Sequence, residues 1–381
     1  MTPTRTWSTR RAHAARPSPP ARRLSPGSPL LVAAALGLAG CGSDPAAAEP
    51  TRFADEQVVV AFTDEVVVPT YGLLATRLVA LDAAAAAVGS APTDSNLATA
   101  RDAWRLARVP WEQSEGFLFG PVDSFGYDPA LDSWPVNATD LRAVLESSDA
   151  LTASYVASLP PTQKGFHTVE YLLFGTGATK TAAELTPREL AYLPLVTAEL
   201  AGVGGALAAS WTTPTDGQPA YRDVFATAGQ AGNAAYPSLA SAMEEVIDGM
   251  IGICDEVANG KIADPYDAHD TTLVESQFAL NSLADFQDNL RSVENAYTGE
   301  VPLAGTGGRS LSDWVAAEDA GLDAKIRDQI AAALGAIGAI PPPFRDAITT
   351  PSSYDEIEAA QAAIRTLQDT LERELKPLVL G

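Results

Sequence analysis

The chain has 381 residues, enough for one large domain or two of ordinary size, and 46% of them are apolar and 19% charged, which excludes a mostly disordered protein. Its 25 Lys and Arg against 48 Asp and Glu give a net charge of −23, which would repel nucleic acid. Two cysteines exclude a disulfide scaffold and a cysteine-rich metal site. No apolar run reaches the ~18 residues that a membrane span requires.

The first 41 residues have the order of an export signal. Six arginines and no acidic residue precede an apolar stretch at 30–39, and the stretch runs into Leu-Ala-Gly-Cys at Cys41. This ending resembles a bacterial lipoprotein signal, in which the cysteine is lipidated and becomes the mature N-terminus. It predicts a signal peptide over 1–41, a flexible tether over 42–54, and an exported protein that a lipid alone anchors to a bacterial membrane, in the periplasm or at the cell surface. The alternative is an ordinary signal peptide with an incidental cysteine.

The rest of the chain has apolar residues at helical spacing and predicts an all-α protein. The predicted helices are 55–89, 94–118, 139–159, 162–174, 186–210, 237–258, 271–297, 309–335 and 354–378. Two valine triplets, at 58–60 and 66–68, have strand propensity, but they lie inside a helical pattern and are expected to be helical. Heptads are not sustained, so the pattern favours globular helical bundles over a long coiled coil.

Histidine is informative because the sequence has only three, one of them within the leader. His167 stands in GFHTVEYLLFG, three residues before Glu170, so a helix places both side chains on one face. Metal centres in helical bundles use this spacing together with glutamates of neighbouring helices. Gly165 would let a neighbouring backbone or a ligand come close to the start of this helix. The alternative is a histidine–glutamate pair that serves packing.

A second acidic pair, Glu112 and Glu115, has the same spacing at the end of the predicted helix 94–118. We expect this helix to bury Trp104, Leu106, Trp111 and Phe117. Glu115 adjoins Gly-Phe-Leu-Phe, an apolar setting in which an unpaired carboxylate is costly. A cation should therefore lie near it. Either Arg108 supplies the positive charge, or Glu115 and Glu112 join the histidine pair around one metal ion.

Residues 275–286 (ESQFALNSLADF) carry polar side chains among apolar ones. These polar residues are Ser276, Asn281, Ser282 and Asp285. They form either a solvated helix face or one side of a polar cleft, which would contain Ser276 and Asp285. His269 lies just upstream in a loop of acidic residues and is expected at the surface.

Several catalytic motifs are absent from the sequence: HExxH, GxSxG, the phosphate-binding P-loop, and GxGxxG between a strand and a helix. A zinc-peptidase site with two histidines is therefore missing. Cys254 lies in an apolar helical pattern and is expected to be unreactive core.

Four segments, in this order, resemble the imelysin-like family: RDAWRLARVPWEQSEGFLFGPVD at 101–123, LDSWP at 131–135, the GxHxxE motif in GFHTVEYLLFG at 165–175, and ESQFALNSLADFQDNLRSVENAYTG at 275–299. The resemblance extends over about 55–380. It implies an N-terminal helical bundle over 55–180 that carries GxHxxE and a C-terminal bundle over 181–381. It also implies a diverged duplication and a functional cleft between the bundles that contains His167 and Glu170.

Members of this family are exported bacterial proteins, often lipoproteins, that are associated with iron uptake and partly classed as metallopeptidases. The resemblance implies a metal-binding lipoprotein that acts in iron uptake or handling, with iron-uptake components as partners. A site of His167, Glu170, Glu115 and Glu112, with Arg108 beside it, suits iron, zinc, calcium or manganese better than copper(I). The alternatives are a metallopeptidase that uses His167 and Glu170, which the missing HExxH motif disfavours, and a surface module that binds a peptide or glycan.

Overall fold

The structure, a computed structural model, describes residues 53–381 with the exception of Asn137. The predicted signal peptide, Cys41 and nearly all of the predicted tether lie outside the described residues. Residues 53–381 fall within one compact unit.

The all-α prediction is confirmed. In the first half the α-helices are α1 Glu56–Ala61, α2 Val68–Ser90, α3 Asp94–Glu112, α4 Pro121–Ser124, α5 Tyr127–Leu131, α6 Ala138–Glu146, α7 Ala153–Ser158, α8 Gly165–Phe174 and α9 Pro187–Thr212. A π-helix, Phe62–Val67, joins α1 to α2, and short 3₁₀ helices occur at Glu115–Phe117, Pro161–Gln163 and Ala182–Glu184. Both valine triplets are helical, as predicted.

In the second half the α-helices are α10 Tyr221–Ala226, α11 Leu239–Glu256, α12 Ala263–Ala268, α13 Ser282–Thr298, α14 Leu311–Glu318, α15 Ala320–Ala339, α16 Phe344–Ala347, α17 Tyr354–Thr370 and α18 Lys376–Leu380. Two π-helices, Val257–Lys261 and Leu371–Leu375, and two 3₁₀ helices, Thr271–Leu273 and Pro351–Ser353, complete this half. Within the described residues, β structure is limited to a hairpin of β1 Glu300–Val301 and β2 Thr306–Gly307 and one bridge between Thr215 and Gln218.

The long helices pack as two groups of four. In the first group α2 packs against α3 and α9, and α8 closes the ring by contacting both of them. In the second group α11 packs against α13 and α17, and α15 closes that ring in the same way. Contacts of α13 with α3 and with the 3₁₀ helix Glu115–Phe117 join the groups. Helix α9 belongs to the first group although it begins after the predicted boundary at residue 180; that boundary and the duplication stay predictions.

Four predicted helices differ in their bounds from those observed. The predicted helix 94–118 is α-helical only as far as Glu112. The predicted helix 139–159 is two short helices, α6 and α7, and 271–297 is helical as a continuous segment only from Ser282. The predicted helix 309–335 is interrupted at Asp319, whose side chain caps α15 by accepting from the backbone N–H groups of Gly321 and Leu322. Leu106, expected to be buried, is 55% exposed, whereas Trp104, Trp111 and Phe117 are fully buried.

Two helical segments, Glu56–Ser90 and Pro187–Thr212, are long and apolar enough to cross a membrane by length and composition alone. They pack closely against one another through α2 and α9, where a Cβ on Gly204 would lie 2.3 Å from the Leu78 side chain. Core helices of a folded domain have the same composition, and this packing accounts for the apolar faces that the two segments share.

Candidate metal centre

A buried cluster of charged side chains lies where α3 and α8 of the first group face α13 and the segment before it. None of its nine side chains is more than 11% exposed. They are Arg108, Glu112, Glu115, Asp132, His167, Glu170, Lys261, Glu275 and Asp285. Six carboxyl groups thus meet one guanidinium, one ammonium and one imidazole in a region that water hardly reaches.

Helix α3 carries Arg108 and Glu112 one turn apart on its buried face. Pro110, inside the helix, lacks the N–H that would otherwise bond to the Leu106 carbonyl. The Arg77 guanidinium donates to that carbonyl instead, at 2.7 Å from Nη1 to the oxygen. A side-chain hydrogen bond from α2 therefore holds the last turn of α3 in addition to the backbone hydrogen bonds of the helix.

The Arg108 guanidinium is at the centre of the cluster. It forms an ion pair with Glu112 and contacts Asp132 at 2.6 Å, Glu275 at 3.1 Å and Asp285 at 3.6 Å. The helix pair between an arginine and a glutamate, considered above as the alternative to a metal ion, thus forms with Glu112. Glu112 also accepts a hydrogen bond from Asn289 on α13, with 2.5 Å between Nδ2 and Oε2.

Close backbone packing places His167. Gly165, at the start of α8, has φ +80°, and a Cβ there would lie 2.5 Å from the Leu131 carbonyl oxygen. Only glycine lets the two segments approach so closely. Asp132 directly follows Leu131, so this contact also brings Asp132 close to α8. The Trp104 indole donates to the Phe166 carbonyl at 3.0 Å and fixes α8 against α3.

The two ring nitrogens of His167 have different surroundings. Nδ1 lies 2.8 Å from Glu170 Oε2, one turn further along α8. Nε2 faces Asp132 Oδ1 at 3.1 Å and Glu275 Oε1 at 3.8 Å, and has no hydrogen-bond partner among the described residues. The ring itself packs against Trp134, with 4.7 Å between the ring centroids. His167 is fully buried, and its Nε2 faces Asp132 at ion-pair distance, so this nitrogen is positioned to hold either a proton or a metal ion.

Both oxygens of Glu170 are engaged. While Oε2 contacts His167, Oε1 accepts hydrogen bonds from the backbone N–H groups of Phe278 and Ala279, each at 2.8 Å. The segment it holds has left-handed backbone at Ser276 (φ +49°) and Leu280 (φ +57°), which is uncommon for residues with side chains. Glu170 thereby links the histidine to the chain segment that carries Glu275.

Lys261 supplies the positive charge beside Glu115 that the sequence required. Its ammonium lies 3.2 Å from Glu275 and 3.9 Å from Glu115, and it also contacts Glu112 and Glu256, each at 3.7 Å. Burial raises the pKa of Glu115 well above its usual value and outweighs the opposing attraction of Lys261. The 3₁₀ helix Glu115–Phe117 thus carries Glu115 into the cluster. The cation beside it is Lys261, whereas the sequence had suggested either Arg108 or a metal ion.

Burial and neighbouring charges shift the pKa values of the cluster residues in different directions. Burial alone would lower the pKa of His167, but the charge of Asp132 and the contacts with Glu170 and Glu275 hold it well above its usual value. Burial alone would raise the pKa of Glu275, but the charge of Lys261 and the contact with His167 outweigh it and set that pKa at about 2. Asp285 differs, since burial raises its pKa to about 6 despite Arg108. These directions favour a protonated imidazole beside an ionised Glu275.

Two sets of side chains in the described region bring three ligand atoms within 4.8 Å of one another. One set is Asp132, His167 and Glu275; the other is Glu112, Glu115 and Asp132. Of the candidates from the sequence, the cluster contains His167, Glu170, Glu112, Glu115, Arg108 and Asp285, and the hydroxyl of Ser276 is buried nearby without a hydrogen-bond partner among the described residues.

Sequence reasoning did not single out Asp132, Lys261 or Glu275. Asp132 and Glu275 lie within segments that carried the family resemblance, which was the available signal for them. No comparable signal marked Lys261. His269 lies apart from these sets, with Nδ1 2.8 Å from the Ile348 carbonyl oxygen and its ring stacked on Tyr354.

Comparisons with known proteins agree with this architecture. The family profile of imelysin matches residues 67–371. Over 323 residues, 85% of this chain and 86% of the relative, the sequence is 35% identical to iron-regulated protein A of Synechococcus elongatus. The crystal structure of a candidate iron-regulated protein A precursor from Parabacteroides distasonis superposes with a TM-score of 0.79 at 30% identity, over 88% of this chain and 97% of that one. An imelysin-like protein from Psychrobacter arcticus shares the fold, with a TM-score of 0.66 at 15% identity over 84% and 94% of the two chains. The chain therefore belongs to the imelysin family.

Proposed function

We propose that this protein binds a metal cation through His167 Nε2, Asp132 and Glu275 and that it handles iron outside the cytoplasm. The observation that carries the proposal is His167 Nε2, a fully buried nitrogen with no hydrogen-bond partner among the described residues that faces two carboxylate oxygens. A nitrogen in this position is available to a metal ion. Iron is the proposed cargo because relatives of this chain are named iron-regulated protein A.

The donor set fits such an ion. One imidazole and two carboxylates are ligands that iron, manganese and zinc accept. Metal-bound histidines commonly give their other ring nitrogen to a carboxylate, which fixes the orientation of the ring. Glu170 holds Nδ1 in this way and has no oxygen left over, so we assign it to positioning His167 and leave ligation to Asp132 and Glu275. Glu112 and Glu115 lie next to this set and would offer further carboxylate oxygens.

A metal ion would replace the proton on His167. Despite burial, the charge of Asp132 raises the pKa of His167 well above its usual value and so favours the protonated imidazole in the metal-free protein. Metal ligands must be deprotonated, so binding should release a proton and weaken as the pH falls. Because one proton leaves as the ion enters, the net charge of the cluster rises by one unit less than the charge of the ion.

The test is a calorimetric titration of the chelator-treated full chain with iron(II) under anaerobic conditions. We expect binding that His167→Gln abolishes and that His269→Gln leaves unchanged, since His269 lies outside the cluster. Binding of equal strength in wild type and His167→Gln would contradict the proposal.

Export and lipid anchoring are part of the proposal and rest on the Leu-Ala-Gly-Cys ending at Cys41. The relative from Parabacteroides distasonis is described as a precursor, in keeping with export. Wild type expressed in a Gram-negative host should fractionate with membranes, and Cys41→Ser should not. Equal membrane association of the two proteins would argue against the anchor.

Burial of the cluster favours cation binding over peptide cleavage. A peptidase must bring a peptide bond to a metal-bound water. The three proposed ligands have side chains that are at most 5% exposed, which leaves no surface on which a peptide could lie. The same burial disfavours the glycan-binding alternative at this site.

A further inference from the structure

Lys261 has a concentration of acceptors around its ammonium that no other lysine in the described residues matches. Oxygens of four carboxylates lie between 3.2 and 3.9 Å from Nζ, and the amide oxygen of Asn289 lies at 3.3 Å. Those carboxylates belong to Glu112, Glu115, Glu256 and Glu275. The ammonium therefore occupies a cation position between carboxylates that come from both groups of helices.

Lys261 also lies between the cluster and the solvent. Its side chain is 11% exposed, more than that of Glu112, Glu115 or Glu275, while its remaining partner, Glu256, is 53% exposed. The residue ends the π-helix Val257–Lys261, directly after Gly260, where a Cβ would meet nothing within 4 Å. The long stem of a lysine is flexible, and Glu256 already lies 3.7 Å from the ammonium on the exposed side, so an outward movement towards Glu256 is short.

Glu275 connects this lysine with the histidine. Its Oε2 lies 3.2 Å from Lys261 Nζ, and its Oε1 lies 3.8 Å from His167 Nε2. A metal ion on His167 and Glu275 would share that carboxylate with the ammonium. The Arg108 guanidinium also contacts this carboxylate, at 3.1 Å, so the ion would be its third cation. Cations this close repel one another strongly, because the surroundings screen them little.

We propose that Lys261 is a displaceable internal counter-ion, whose ammonium leaves the cluster when a metal ion enters. The inference rests on the metal binding proposed above and adds the residue that sets its affinity. In the metal-free protein the ammonium of Lys261 lies among the carboxylates as their counter-ion. On loading, it moves outward to Glu256, so a buried amine becomes exposed as a consequence of metal binding.

The first experiment measures the rate at which an amine-acetylating reagent modifies each lysine of the wild-type full chain, with and without saturating iron(II) under anaerobic conditions. We expect acetylation of Lys261 to rise several-fold on loading. Lys180 is the matched control: its side chain is 12% exposed and it pairs with Glu189 outside the cluster, so its rate should stay the same. Protection of Lys261 that does not change at saturation would overturn the proposal.

The second experiment removes the counter-ion. Lys261→Met should bind iron(II) more tightly than wild type by about tenfold or more, since one nearby positive charge is lost from a poorly screened site. Lys325→Met removes the same charge from an exposed pair with Glu374 and should bind as wild type does. Circular dichroism establishes whether Lys261→Met is folded, and the acetylation experiment on wild type does not depend on that variant.

The outcomes separate the two proposals. Binding by Lys261→Met but not by wild type would refute displacement, because the lysine would then block the site and not leave it. Binding by wild type with unchanged acetylation and no gain in Lys261→Met would refute displacement alone. Failure of both proteins to bind would refute the proposed metal binding, and displacement with it.

Discussion

Glu170 shows how much one carboxylate can organise in this protein. Glu170 follows His167 by three residues on α8, which brings its Oε2 to His167 Nδ1. Its other oxygen, Oε1, accepts hydrogen bonds from the backbone N–H groups of Phe278 and Ala279. A charged acceptor with two backbone donors and an imidazole partner is among the stronger hydrogen-bonded arrangements in proteins. The residue therefore holds both the histidine and the segment that bears Glu275.

We expect Glu170→Gln to weaken iron(II) binding by about 10- to 100-fold, the usual cost of losing a group that orients a metal-bound histidine. A glutamine amide offers one acceptor oxygen where the carboxylate used two. Calorimetric titration measures the effect. Glu199→Gln, which removes a charge from a pair with Lys164 outside the cluster, is the control. An unchanged affinity in Glu170→Gln would show that the carboxylate does not position the histidine.

Asp288, on the side of α13 that faces Gln113, should make the stability of the protein depend on pH. Burial raises its pKa from 3.8 to about 6, although it accepts a hydrogen bond from Gln113 at 2.7 Å. As the pH rises from about 4 to 6, the unfolded chain loses this proton first, so stability falls in that range. A shift of that size corresponds to about 3 kcal/mol at neutral pH, at ~1.4 kcal/mol per pKa unit.

Asp288→Asn should therefore be more stable than wild type at pH 7.5, by up to about 3 kcal/mol, and the difference should disappear near pH 4. Asparagine keeps an acceptor oxygen for Gln113 and removes only the ionisation. Urea unfolding at the two pH values measures the difference. A stability gain of the same size at pH 4 and 7.5 would show that ionisation is not its cause.

The sequence predicted the surroundings of single residues only in part. The cost of burying Glu115 correctly implied a nearby cation, because that argument depends only on local chemistry. The identity of the cation did not follow, since Lys261 lies 146 positions further on and reaches Glu115 only through the packing of the two groups. Asp132 was missed for a related reason: it lies in a loop, where no periodicity indicates which way a side chain points.

Among the elements, α11 contacts the 3₁₀ helix Glu115–Phe117, which carries Glu115 of the cluster. A Cβ at Gly249 would lie 2.1 Å from the Gly116 carbonyl oxygen, a backbone atom that cannot move aside without moving Glu115. The Gly116 N–H is held from the other side by the Ser292 hydroxyl at 2.9 Å. The short helix is therefore fixed between α11 and α13, and with it the position of the Glu115 carboxylate.

Gly249→Ala should destabilise the protein by about 1–3 kcal/mol, the range for overpacking a buried contact. Gly335→Ala is the matched control, because Gly335 also lies inside a helix but a Cβ there would meet nothing within 4 Å. That change should stabilise α15 by up to about 1 kcal/mol through helix propensity. Chemical denaturation of both variants measures the pair. Equal effects would mean that α11 does not pack as closely as the structure shows.

The elements that sequence periodicity predicted well are those whose backbone bonds are satisfied within the helix. Helices α9 and α11 have nearly the predicted bounds, and the predicted helix 55–89 is observed as the continuous run of α1, the π-helix Phe62–Val67 and α2. The predicted helix 271–297 is irregular before Ser282, where Glu170 takes up the N–H groups of Phe278 and Ala279. A distant carboxylate thus replaced the helical acceptors, and no local pattern in 275–281 reveals it.

At the scale of the whole molecule, the charged cluster connects the two groups of helices. Arg108 and His167 come from α3 and α8 of the first group, while Asp285 lies on α13 of the second and Glu275 in the segment before it. Ion pairs buried at such a junction cost desolvation, so they hold the groups in register more than they add stability. The overall negative charge of the chain also favours the approach of cations to this junction.

Metal binding at this junction should stabilise both groups together. A ligand that binds only the folded state at 100 times its dissociation constant adds about 2.7 kcal/mol to the free energy of unfolding. Because the proposed ligands are carried by α8, by the loop after α5 and by the segment before α13, neither group can unfold without releasing the ion. We therefore expect iron(II) to raise the midpoint of one calorimetric transition by several degrees in wild type and not in His167→Gln. Two transitions, of which iron(II) moves only one, would place the ion within a single group and contradict a site that spans both.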